Sequence, residues 1–166
     1  MTRELNVFGP YEIPYETNDR SAKYVSADDG RQFFDDNPDL ATGRGCYLFA
    51  IRTRGLRAVY VGKATRDFRR EVFTADKLQK LNSALHAWPR GTPVALFVVT
   101  PPRVHSPALI SDVERYLIRS AKRAWPDLLN IHHVGENDWE IRGVTAAHKG
   151  TPSEAAQALT RLLKLE

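Results

Sequence analysis

The sequence predicts a small α/β domain, in which a three-stranded, mainly antiparallel sheet is flanked by helices and wrapped by N- and C-terminal extensions. Three observations carry this expectation. Two short apolar runs, 46–52 and 57–61, are separated by the turn segment Thr53-Arg54-Gly55-Leu56. A third run, 94–100, is β-branched and aromatic and lies between Pro93 and Pro101. Three- and four-residue apolar spacing occupies 67–85 and 108–124. The resulting order is β-β-α-β-α.

In the first strand Tyr47, Phe49 and Ile51 alternate with Leu48 and Ala50, so both sides are apolar and the strand is expected to be covered on two faces. The second strand closes at Gly62, where backbone and substrate can approach closely, and Lys63 follows. Residues Phe68, Val72, Leu78, Leu81 and Leu85 give the next helix its apolar face, and Trp88-Pro89-Arg90-Gly91 ends it. Ser106-Pro107 opens a second helix with an apolar line through Ile110, Val113, Leu117 and Ala121, which sets Glu114 beside the core stripe. A strand is expected over 139–144, and a last helix opens at the capping box Thr151-Pro152-Ser153-Glu154. Ahead of all this, Pro10 and Pro14 break any helix, and Ser26 caps a short one through Phe33 and Phe34. The chain therefore divides into an acidic N-terminal extension (1–43) packed on the core, a core (44–131), and a C-terminal strand and helix of the same domain (132–166).

The 166 residues, 42% apolar and 27% charged, are enough for one domain with a sizeable core. A single cysteine excludes an intramolecular disulfide framework and a multi-cysteine zinc site, and it suits a reducing compartment. With no apolar run of membrane-spanning length and no apolar core in the first residues, the protein is expected to be cytoplasmic and without a membrane partner. The net charge of +4 conceals an asymmetry. Residues 1–43 hold 4 basic and 9 acidic side chains, 44–90 hold 11 and 3, and 91–166 hold 9 and 8. Positive charge concentrated on the hairpin and the segment after it is the footprint of a polyphosphate partner, or else a solubilising face. The acidic leader reads as structural; the alternative is that it mimics nucleic acid and covers the basic patch, so that removing residues 1–40 raises affinity.

Gly45-Cys46-Tyr47 and Tyr60-Val61-Gly62, with Lys63 after them, resemble the paired signature of the GIY-YIG nuclease superfamily. The likeness continues through an arginine in the following helix, the segment Glu114-Arg115-Tyr116-Leu117-Ile118, and Asn130. It covers 44–131. The departures are Cys46 and Val61 in place of isoleucine, and a slightly longer gap between the tyrosines.

The resemblance implies a metal-dependent endonuclease that hydrolyses nucleic-acid phosphodiesters, with DNA as the expected substrate, by a one-metal mechanism. Glu114 would hold one divalent cation, Mg²⁺ or Mn²⁺, with water and substrate oxygens completing the octahedron. Arg70, eight residues after Gly62, would meet the charge developing on the phosphate; Arg69 and Arg66 compete with it for that place. Tyr47 or Tyr60 would orient or deprotonate the attacking water. A tyrosine with a pKa near ~10 is a weak base at neutral pH, so a cation such as Lys63 must lower it. Asn130 would order the site by hydrogen bonds. Lys63, Arg66, Arg69 and Lys77 are the expected nucleic-acid contacts, and targeting would rest on the basic face, on homo-oligomerisation or on a protein partner. The alternative is a non-catalytic nucleic-acid-binding module with the same fold. Of adjacent His132 and His133, at most one can face Glu114; His86, His105 and His148 read as surface residues, and Cys46 as a packed thiol.

Overall fold

The computed structural model of the protein describes residues 3–130, 139–145 and 150–165. The chain begins with a ten-residue strand, β1 (Arg3–Glu12), and a short ribbon of β2 (Glu16–Thr17) and β3 (Lys23–Tyr24). Helix α1 (Ala27–Asp36) starts where the sequence signals it: the Ser26 side chain accepts from the Asp29 backbone N–H, and the Asp29 carboxylate accepts from that of Ser26. After one turn, α2 (Pro38–Ala41), the hairpin β4 (Gly45–Arg52) and β5 (Leu56–Ala64) follows.

The helix expected over 67–85 is broken in two, α3 (Phe68–Glu71) and α4 (Ala75–Ala87). Asp67 caps the first, and Thr74 in extended conformation opens the second. The break turns Phe73 into an aromatic cluster, where it stacks on Phe49 at 5.7 Å and meets Phe33 edge-on at 5.4 Å. Strand β6 (Thr92–Val99) and the eighteen-residue α5 (Pro107–Ala124), capped by Ser106, match their sequence signals. Strand β7 (Trp139–Ile141) and α6 (Glu154–Leu163) end the chain.

The expected three-stranded, mainly antiparallel sheet is overturned. The sheet has five strands in the order β5-β4-β6-β1-β7, with β1 and β7 parallel and the remaining pairs antiparallel, and β2 and β3 form a separate two-stranded sheet. The reason lies in β1. Pro10 looks incompatible with a sheet because it has no N–H to donate. Yet the pairing with β6 shifts register between Phe8 and Tyr11, and this irregularity accommodates the proline while Leu5 and Val7 stay inward. β1 thus continues the sheet beyond β6 and gives β7 an edge to pair with.

Helices cover both faces. On one side Cys46, Leu48, Val61, Leu96 and Val98 pack against α5 and α6. On the other, Tyr47, Phe49, Tyr60 and Phe97 pack against Phe33 and Phe34 of α1, Phe68 of α3 and Leu81 of α4. A second register shift places Tyr60 on this aromatic side. Phe49 faces Tyr60 and Ala50 faces Ala58, which leaves Val59 as the extra residue of a bulge. Without it, strict alternation would not give Tyr47 and Tyr60 a common face.

Leu5 is fully buried and opposite Ile141. If β1 is an integral strand, Leu5→Ala costs about 3 kcal/mol of stability. Urea unfolding checks this; a loss below about 1 kcal/mol would make β1 a dispensable cover.

Candidate active site

Gly62 is the centre of the site. It sits opposite Tyr47 in the β4–β5 ladder, and a Cβ there would overlap the Tyr47 ring and hydroxyl. Only a residue without a side chain lets the tyrosine lie across β5. The two tyrosine rings stand 6.3 Å apart, Tyr47 fully buried and Tyr60 at 9% exposure. The Tyr47 hydroxyl is buried and has no hydrogen-bond partner among the described residues. An orphaned hydroxyl of this kind is a cost to the fold and marks a place where a further polar group belongs.

Lys63 follows Gly62 and points to the opposite side of the sheet, opposite Cys46. Its Nζ meets the Glu114 Oε2 at 3.1 Å and the Ser111 Oγ at 3.2 Å, both on α5. The Glu114 side chain is only 18% exposed. Asn130 closes the free edge of β5: its Nδ2 donates to the Val61 carbonyl at 2.8 Å and its Oδ1 accepts from the Val61 N–H at 2.9 Å. Leu129 donates to the Val59 carbonyl on the same edge, and Lys122 Nζ holds the segment by donating to the carbonyls of Leu128 and Asn130. Tyr47, Tyr60 and Asn130 therefore meet β5 at or next to Gly62, and Glu114 joins the same stretch from the opposite face through Lys63.

The charges at this centre work against one sequence expectation. Burial pushes the Tyr47 hydroxyl far above its ordinary value, with further upward contributions from Tyr60 and from the carboxylates Glu114 and Glu71. Tyr60 is raised by burial and then by Glu114 and Asp76. Lys63 does not lower either pKa; it is engaged by Glu114 instead. Lys80 Nζ, 4.7 Å above the Tyr60 ring, is a cation–π contact with the ring face. Cys46 is a buried thiol whose Sγ lies 3.4 Å from the Ile110 carbonyl, and burial pushes its pKa up, so it is inert packing.

The arginines lie outside this cluster of contacts. Arg70 is 68% exposed and pairs with its own helix cap, Asp67, at 3.2 Å. Arg69 pairs with Asp35 of α1 at 2.7 Å, joining the acidic leader to the basic segment. The Arg66 carbonyl accepts from Arg44 and its N–H donates to Glu71. Lys77 is 4.0 Å from its neighbour Asp76. His132, His133 and His148 lie outside the described residues.

The chain matches no family model, no curated protein and no solved structure. Among the described residues no group of three or more His, Cys, Asp and Glu stands together. The partly exposed Glu114 carboxylate is an oxygen donor of the kind that a hard divalent cation keeping most of its water, such as Mg²⁺ or Mn²⁺, would take. Sequence reasoning missed Glu71, Ser111 and Lys122. Glu71 lay beside a run of arginines in a segment read as continuous helix, and the other two have no signal short of the tertiary contact itself.

Removing the orphaned hydroxyl by Tyr47→Phe raises stability by about 1 kcal/mol, measurable by urea unfolding at neutral pH. The raised pKa also has a sign. Above about pH 10 the unfolded chain releases tyrosine protons that the folded chain keeps, so stability falls with rising pH. Comparing unfolding midpoints at about pH 9 and about pH 11, the drop is smaller in Tyr47→Phe than in the wild type.

Proposed function

We propose that the protein is an endonuclease that hydrolyses nucleic-acid phosphodiester bonds, with DNA as the substrate and a one-metal GIY-YIG-type chemistry. What supports this reading is that Tyr47, Tyr60, Lys63, Glu114 and Asn130 all meet β5 along its Tyr60–Lys63 stretch, just ahead of the basic segment that holds Arg66, Arg69 and Arg70. In isolation each residue has an ordinary structural role. Together they set two tyrosines on one face of β5 and an ammonium–carboxylate pair on the other, within one short stretch of the strand.

Hydrolysis requires a positioned water, relief of charge on the phosphate, and a proton for the leaving oxygen. With their pKa values raised, Tyr47 and Tyr60 keep their protons at neutral pH, so in this reading they orient the water by hydrogen bonds and do not act as ionised bases. The Lys63 ammonium supplies positive charge for a phosphate oxygen while remaining anchored on Glu114 and Ser111. Arg70, exposed and paired among the described residues with Asp67 alone, is free to turn toward a phosphate once substrate arrives. Asn130 keeps the backbone before Gly62 in register. Glu114 would hold a Mg²⁺ or Mn²⁺ ion, which when bound neutralises charge on the phosphate and the leaving oxygen. Arg66, Arg69 and Lys77 extend the positive surface over which the strand would lie. The single cysteine accords with a cytoplasmic setting, and no helix among the described residues is long and apolar enough to cross a membrane.

Labelled duplex, single-stranded and branched DNA are incubated with the protein in Mg²⁺ or Mn²⁺. Cleavage is expected, abolished by EDTA and slowed about 100-fold or more by Glu114→Ala. Cleavage that survives the substitution would sink the assignment of Glu114. Binding without cleavage on every substrate would favour the non-catalytic module.

A further inference from the structure

A second site lies at the other end of the same hairpin. The β4–β5 turn, the end of α5 and α6 enclose a cleft of about 550 Å³. Among the described residues, Arg52, Arg54, Arg161 and Lys164 line it against one carboxylate, Glu154, and Trp125 forms one wall. The wall is fixed in place: the Trp125 indole N–H donates to the Leu162 carbonyl at 2.8 Å, and Lys164 Nζ lies 4.4 Å from the ring. Among the described residues, neither the Arg54 nor the Arg161 side chain has an ion-pair or hydrogen-bond partner, and Arg52 has only a 3.6 Å pairing with exposed Glu12. Both guanidiniums line one concavity in which positive charge is in excess, a field that an anion would offset.

We propose that this cleft binds phosphate groups, and that the groups belong to a nucleic-acid backbone passing outside the tyrosine site. Arginine forks suit phosphate oxygens better than lone carboxylates do, because each presents paired donors to a tetrahedral anion. Position supports the backbone as the source. From Tyr47 to Arg52 is about 17 Å along β4, and from Glu114 to Trp125 is about 16 Å along α5. Both routes place the cleft about half a turn of duplex from Gly62. Lys63 and Glu114 face the α5 layer, as does the cleft. The choice of nucleic acid as the source rests on the nuclease reading; the affinity for phosphate does not.

The test is the double variant Arg54→Ala/Arg161→Ala, two exposed positions whose removal leaves the core intact. Duplex DNA binding is measured by fluorescence anisotropy in chelator, so that no cleavage enters, between about 50 and about 200 mM salt. Inorganic tripolyphosphate is titrated separately by calorimetry. The control is Arg20→Ala/Arg31→Ala, which removes the same charge elsewhere. The expected result is about tenfold weaker duplex binding and a salt slope shallower by about 2, with the control unchanged. Loss of tripolyphosphate binding alone keeps the cleft as a phosphate site and assigns it to a free polyphosphate. Wild-type protein that binds neither probe, a double variant that binds both unchanged, or an equal loss in the control overturns the proposal. Because cleavage is not read, the Glu114 experiment can fail while this one succeeds, and the reverse.

Discussion

The contact on which the site depends is the one between the Tyr47 ring and the bare backbone of Gly62. Tyr47 is fully buried, so its ring must have a place in the core, and that place is the surface of β5 where the side chain of residue 62 would be. The glycine sets the height of the ring over the strand, the ring sets the position of its hydroxyl, and the hydroxyl is left without a partner among the described residues. Everything else at this end of the hairpin is arranged about that contact. The bulge at Val59 brings Tyr60 to the same face, and Asn130 holds the backbone at Val61.

Because residues alternate across a strand, the site is divided between the two faces of the sheet. The tyrosines belong to the aromatic layer under α1, α3 and α4, whereas Lys63 and Glu114 belong to the aliphatic layer under α5. What joins the two halves is β5 itself, an edge strand on which Tyr60, Gly62 and Lys63 lie within four consecutive residues. The electrostatics agree with this closeness: the Glu114 charge raises both tyrosines and the Cys46 thiol, which lies on its own side of the sheet. The layered fold thus brings a hydrogen-bonding half and a charged half together at one sheet edge.

Much of this was legible in the residues. Both strands of the hairpin, β6, α5 and the cap of α1 carry local signals that the tertiary structure leaves in place. The failures have identifiable causes. β1 was hidden by Pro10, whose missing donor is accommodated by an irregular register with β6 that no local pattern announces. The break between α3 and α4 was hidden because Phe68, Val72, Ala75 and Leu78 keep helical spacing across it, while the pull on Phe73 comes from Phe33 and Phe49, distant in sequence. Lys63 was expected to act on a tyrosine, but its charge goes to Glu114, a residue fifty-one positions later that only the packing of α5 brings alongside.

The sequence by itself determined the types of chemistry present and their order along the chain: two tyrosines, a glycine, a lysine, a glutamate and an asparagine on apolar strands and an amphipathic helix, next to a basic segment. Periodicity and turn chemistry act over a few residues, and so do the features they reveal. Only the tertiary structure decided the five-stranded sheet, the face on which each group lies, the partner that Lys63 takes and the direction in which the tyrosine pKa values move. These follow from burial and from contacts between residues far apart in the chain, and no local pattern of residues carries either.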